Sequence, residues 1–297
     1  MQVAQGGVMK SVRWGTLMFL AVLIAVPAAV ARDWDAVKGS FDRTLTVTGA
    51  VDLEVRTGAG DIKVHAGPSR QVTIHGKIQA HNDGSSAEQK VKYFEDHPPI
   101  EQDGNHIHIG RVEDHEMTRN VSIDYEIEVP AETSLTTATG SGDVTVEGLD
   151  GSARLESGSG NMTVDSLQGD LRVRTGSGDG KVRNVSGGRI ELTTGSGDFE
   201  VRDVHGSLGL RTGSGNIRAE GKPTGEWRVE TGSGEIHVRV PSDLGFDLDA
   251  HTSSGEISTD LPVTVTGTVG HGSIRGKVRG GGVLVEVRAG SGDIEIN

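Results

Sequence analysis

The residues best placed to do chemistry in this chain come in copies. An acid or its amide follows a G-S-G triplet at Asp143, Asn161, Asp179, Asp198, Asn216, Glu235 and Asp293, and Glu256 follows a Ser-Ser-Gly variant. Carboxylates beside glycine turns can ligate calcium, and calcium-binding β-rolls repeat G-G-x-G-x-D. In those rolls the ligand sits two positions beyond the glycine. Here the acid follows the glycine directly, Asn replaces it at two places, and the opposite corners carry no acid at a fixed position. The pattern therefore predicts a corner. Gly supplies positive φ, and Ser and Asp/Asn tie down backbone N–H groups. Carboxylates stacked at strand spacing would at most attract a diffuse cloud of cations. A phosphate cradle is weaker still, because no G-K-[ST] follows and no helix begins there.

Histidine offers a second candidate. His106 and His108 lie on one face of an alternating run, with His97, Asp114 and His115 close in sequence. Zinc requires three or four such ligands to converge. Two histidines on the face of a hairpin strand are more simply solvated, so the site assignment is none, with His97, His106, His108 and His115 kept as metal candidates. No cofactor is expected. Catalysis has little to stand on: no dense cluster of acids and bases is visible, and no G-x-S-x-G lies at a strand–turn–helix junction.

These residues belong to units. Motif starts fall at Thr139, Ser157, Thr175, Thr194, Thr212, Thr231 and Thr252, with looser copies at Val269 and Ala289 and an isolated early one at Thr57. Each unit of about 18 residues holds two alternating runs separated by glycine corners, as in LRVRT and KVRNV. Alternation marks half-buried strands. A fixed period of this length marks a stacked array. An antiparallel meander would also alternate. A parallel β-solenoid accounts better for chemically uniform columns. One reads Leu155, Val173, Leu192, Leu210, Val229; another reads Val146, Val164, Val182, Val201, Ala219, Val238. Nine such coils from Thr139 would stack to about 43 Å. Charges agree across coils: Glu156 falls beside Arg174, Arg172 beside Glu191, and Arg211 beside Glu230. Gly180 interrupts a column that otherwise holds Val144, Met162, Phe199, Ile217 and Ile236, so Met162 and Phe199 should lean into the gap. The threonines that open the motifs fall on the inward phase, which argues against an ice-binding face.

The expected fold is all-β: a parallel β-solenoid with two short strands per coil and an N-terminal β-rich cap with one short helix. Residues 1–31 read as a signal peptide. Lys10 and Arg13 precede an apolar run, and an Ala-Val-Ala cleavage pattern closes it. Residues 32–130 read as the cap, 131–297 as the coils. Within the cap, Ser85 and Glu88 have capping-box spacing, Ala87, Val91 and Phe94 share a face, and Pro98-Pro99 ends the helix. Second corners are expected near Gly151, Gly169, Gly187 and Gly206.

Formal charge is −13 over 297 residues, near −15 once residues 1–31 are removed. That balance argues against nucleic acid and anionic membrane surfaces as partners. Membrane contact is expected only through the signal peptide before cleavage. There is no cysteine, hence no lipid attachment through one and no disulfide.

The repeated T-G-S-G-D/N units, the run VPSDLGFDLDAHTSSGEISTDLP (240–262) and the ending GGVLVEVRAGSGDIEIN resemble the bacterial putative-adhesin β-strand-repeat family. The resemblance covers roughly residues 40–297. It implies an exported β-solenoid of the cell envelope, periplasmic or secreted to the surface, and offers no catalytic residue. The function expected is a non-enzymatic, adhesin-like interaction surface or envelope scaffold for a protein or glycan partner. The alternatives are a polysaccharide-active β-helix enzyme and an envelope signalling accessory.

Overall fold

The computed structural model describes residues 36–297 apart from 69, 82–85, 113, 266–269 and 271. The expected signal peptide and Ser85 lie outside the described residues. Neighbouring strands through the body of the molecule are parallel, and equivalent motif residues lie opposite one another. The solenoid is thus the fold, and the meander is excluded.

Each coil lays down one strand leading into the G-S-G-D corner and one following it. The leading strands are hydrogen-bonded in the order Val51–Ala59, Thr133–Ser141, Ala153–Ser159, Leu171–Ser177. They continue through the C-terminal halves of Gly180–Ser196, Phe199–Ser214 and Ile217–Ser233. The following strands run in step, from Ile62–Gly67 through Val144–Leu149 and Met162–Gln168 to Ile236–Arg239. The early coil at Thr57 therefore stacks directly on the coil at Thr139, and the ladder runs unbroken across residue 131.

The columns pack the core. Leu155, Val173, Leu192, Leu210 and Val229 are opposite one another and buried, as are Val146, Val164, Val182, Val201, Ala219 and Val238. Burying each Val or Leu side chain contributes about 1.5–3 kcal/mol. Phe199 fills the space over Gly180: a Cβ there would lie 2.5 Å from the ring. The gap is closed by Phe199 alone among its nearest atoms, without Met162.

The expected glycine corners are present, with positive φ of 147°, 86° and 144° at Gly169, Gly187 and Gly206, and each coil holds a further bend that the sequence did not mark. Gly148, Ser166, Asn184 and Asp203 take up left-handed φ of 76°, 59°, 54° and 52°, and they are successive members of one column. Short polar side chains tolerate this conformation because they hydrogen-bond locally. The amide of Asn184 donates to Asp165 at 3.0 Å, and Ser166 Oγ donates to the same carboxylate at 2.8 Å.

Both ends are closed by antiparallel strands. At the N-terminal end Gln71–Ala80 runs antiparallel between Val37–Thr46 and Val121–Pro130, and Ile100–Asp103 forms a hairpin with His106–Ile109. Helix α1 (Ala87–Asp96) lies over this end and buries Ala87, Val91 and Phe94, as the spacing predicts. The cap holds a second helical turn, α2 (His115–Thr118), where one helix was expected. Asp114 Oδ1 accepts from Glu116 N–H at 2.9 Å and starts it.

The C-terminal end departs from the order of the sequence. Val283–Ser291 does not follow Phe246–Ser254 in the stack. It lies between Ile217–Ser233 and Phe246–Ser254, parallel to both. Likewise Ile294–Ile296 lies between Ile236–Arg239 and Ile257–Thr259. The copy expected at Val269 is no coil. Ser273–Val278 there pairs antiparallel with Phe246–Ser254 and with Val263–Val265. The nine consecutive coils read from Thr139 are corrected accordingly: the segment at Val269 caps the end, and the one at Ala289 is inserted one place earlier.

Candidate functional site

The G-S-G-D column is the most regular polar feature, and its geometry shows what each residue does. The opening Thr is buried, and its hydroxyl donates to the corner carbonyl of the coil before. Thr175 reaches Gly160 O at 3.3 Å, Thr194 reaches Gly178 O at 3.4 Å, Thr212 reaches Gly197 O at 3.1 Å, and Thr231 reaches Gly215 O at 2.9 Å. Ser157 does the same toward Gly142 O at 3.4 Å. The acid or amide reaches the opposite way. Asp143 Oδ1 accepts from Asn161 N–H at 2.7 Å, Asn161 Oδ1 from Asp179 N–H at 3.0 Å, and Asp179 Oδ1 from Asp198 N–H at 2.9 Å. Asp198 Oδ1 and Asn216 Oδ1 then accept from Asn216 and Glu235 N–H at 2.6 and 2.9 Å. Asp124 and Asp61 extend the chain of bonds into the cap.

Asn and Asp are interchangeable in this column because only one side-chain oxygen is used. The second glycine is required for two reasons. Gly197 has φ of 148°, and a Cβ on it would be driven into the carbonyl oxygen of Gly178. The Thr hydroxyl, one Asx oxygen and the close-packed glycines thus join one coil to the next, while the middle serine side chain stays exposed, and the column is a seam.

The histidines are dispersed. His106 and His108 share one face of their strand and pair with acids of the neighbouring strand: His106 Nδ1 with Asp52 at 3.1 Å, His108 Nδ1 with Glu54 at 2.9 Å. Arg56, and after it His108, hold the Glu54 carboxyl below its ordinary range. His97 closes helix α1 and stacks on Tyr93 with ring centroids 5.3 Å apart, while His115 opens helix α2. Among the described residues no group of three or more His, Asp or Glu side chains converges as metal ligands would. A similar pair that the sequence analysis passed over joins His237 to Glu295 at 2.7 Å across inserted strands. Residues 237 and 295 are far apart in sequence, so no local signal marked them.

The outward faces carry ion pairs. Arg172–Glu191 and Arg211–Glu230 close at 2.5 Å, in the expected register. Glu156 lies opposite Arg174 but bonds instead to Arg154 of its own strand, at 2.7 Å. Open grooves run beside the seam. One of about 360 Å³ is lined by Asp179, Lys181, Asp198, Glu200 and Arg218; another of about 420 Å³ by Arg202, Arg218, Glu220, His237 and Arg239.

Stacked parallel coils, sewn together by Thr hydroxyls and Asx side chains at one corner, define a β-solenoid of the Thr-Gly-Ser-Gly-Asx type. The chain belongs to the Toastrack DUF4097 family, which matches residues 51–297. The resemblance carried by the repeat is thereby met. No curated protein matches the chain. Among solved structures, a putative adhesin from Bacteroides fragilis is 13% identical, with TM-score 0.41, covering 87% of this chain and 97% of its own. A putative cell adhesion protein from Clostridium sporogenes is 15% identical, with TM-score 0.30, covering 87% and 98%. A putative adhesin from Parabacteroides merdae is 10% identical, with TM-score 0.30, covering 87% and 96%. Among the described residues no helix is long and apolar enough to cross a membrane.

Proposed function

We propose that the protein is an exported, non-enzymatic interaction surface of the cell envelope, adhesin-like in mode, that meets a protein or glycan along the outward faces of its coils. One observation carries this reading: the motif's Thr hydroxyl and one Asx oxygen are engaged in inter-coil hydrogen bonds, so what meets a partner is the charged rows on the strand faces with the exposed serines beside them. A row repeated at strand spacing suits an extended partner, because each coil offers the same contact again. The apolar run and cleavage pattern before residue 32 support export.

A pull-down from envelope extracts with the purified chain, run beside a glycan array, tests this. The expected result is retention of a partner that weakens with salt and is lost when Arg172 and Arg211 are both changed to Glu. Turnover of a polysaccharide in a degradation screen would replace this reading with the enzymatic one.

A further inference from the structure

Residues 283–297 form a complete coil seated out of order, and the manner of seating has a consequence for assembly. Both edges of the segment are bonded. On one side Gly234 N–H donates to Ser291 O, Ile236 N–H to Asp293 O and Val240 N–H to Asn297 O. On the other, Gly292 N–H donates to Ser254 O, Ile294 N–H to Glu256 O, and Thr252 Oγ1 to Gly292 O at 2.9 Å. Val285, Val287, Ile294 and Ile296 are fully buried there. The segment fills a place between two coils that the chain has already laid down.

What joins it to the rest is one turn. Arg279, Gly280 and Gly281 have φ of 46°, 90° and 88°, and the strand begins at Val283. A non-glycine residue in the left-handed region is held there at a cost. Glycine neighbours allow the turn to open.

The seat has its own selectivity. Arg228 Nε meets the buried Glu286 carboxylate at 2.6 Å, and Arg288 pairs with the same acid. The Glu286 position is occupied in other coils by Glu54, Thr136, Arg154, Arg172, Glu191, Gly209, Arg228 and Asp249, five of the eight not acids. The seat therefore discriminates 283–297 from most other coils. Nothing in it discriminates between a chain's own 283–297 and that of a second copy.

We propose that the seat between the coils of Thr231 and Thr252 is an interaction surface for a second copy of this chain. Each copy lends residues 283–297 to the other, and the 279–282 turn opens into an extended linker. Exchange remakes every bond of the coil and relieves Arg279. It forfeits the Gly281 N–H bond to Val278 O in the turn and the freedom of the second chain, so it follows concentration. A reciprocal loan closes on itself as a two-fold pair.

The chain has no cysteine, which makes the test clean. Ser233 and Ser291 are exposed and lie opposite one another across the seat. Full-length Ser233→Cys and full-length Ser291→Cys are unfolded together, refolded at high concentration and oxidised. The expected product is a dimer of twice 31.1 kDa by light scattering, linked by a 233–291 disulfide on peptide mapping. Refolding at about 100-fold lower concentration should return monomer by mass action. The double variant Ser233→Cys/Ser291→Cys, refolded dilute, should close internally and shows that the geometry permits the bond. If it does not close, Glu230→Cys with Arg288→Cys, another opposed pair, replaces it. Monomer at every concentration overturns the proposal. So does a dimer that carries no link between the two matched positions while the internal control closes.

Discussion

The coils led by Thr139, Ser157, Thr175, Thr194, Thr212 and Thr231 stack in the order in which they are written. Those led by Thr252 and Ala289 stack in reverse. Yet the bonds are the same in both regions. Thr194 donates to the corner of an earlier coil at Gly178 O, and Thr252 donates to the corner of a later one at Gly292 O. Asp179 accepts from Asp198 N–H, and Asp293 accepts from Glu256 N–H, at 2.9 and 2.8 Å. The motif fixes how one coil sits on another and is silent about which coil that is. In the body, short connections impose sequence order. At the C-terminal end the antiparallel pair Val263–Val265 and Ser273–Val278 occupies the outer edge, and the chain must turn back beneath Phe246–Ser254 to continue. In the inner seat the buried Glu286 meets Arg228.

The largest effect should come from removing that inner coil. A chain ending at Gly282 is expected to lose hydrogen-exchange protection from about residue 227 to 282 while keeping it between 139 and 214, because each coil of a solenoid is supported by its neighbours. Uniform loss along the stack would show that the two regions are one cooperative unit. Gly197→Ala comes next. Left-handed backbone and collision with Gly178 O together should cost about 3 kcal/mol or more in denaturant unfolding, whereas Gly280→Ala, with no atom near its Cβ position, should cost about 1 kcal/mol for the same φ class. Equal losses would mean that the seam is no tighter than the terminal turn.

Gly180→Val is expected to destabilise by about 1–3 kcal/mol through overpacking against Phe199, and pairing it with Phe199→Leu should recover most of that. A stable, well-folded single variant would refute the filling of that gap by the Phe199 ring. Asp198→Asn should change stability by less than about 0.5 kcal/mol, and Asp198→Ala should cost about 1 kcal/mol, since only the accepting oxygen is used. The smallest effect is in acid. Asn184 and then Ser166 hold the Asp165 carboxyl below its ordinary value of 3.8. A lowered folded value stabilises above the unfolded value and is lost as pH falls through the folded one. The acid limb of a stability–pH curve below about pH 4 should therefore be shallower in Asp165→Asn than in the parent chain.

Much of this was legible in advance, for a reason visible in the columns. A stack places like on like, so Val146, Val164, Val182 and Val201 announce their register by identity. The corner reading of G-S-G-D was legible too, because Asn161 and Asn216 weaken a charge-dependent site and the acid directly follows the glycine. The bend between the two glycine corners was hidden. Its left-handed residues are Gly148, Ser166, Asn184 and Asp203, a column defined by conformation and not by type. The His237–Glu295 pair was hidden because it spans the inserted coil.

The amino-acid pattern alone settled the period, the inward columns and the local form of each corner, since alternation and glycine chemistry act within a few residues. The position of 283–297 was decided only in three dimensions. Its repeat motif fits on either side of any coil, and the choice rests on a cap that had already taken the outer edge, with the buried Glu286 then paired to Arg228.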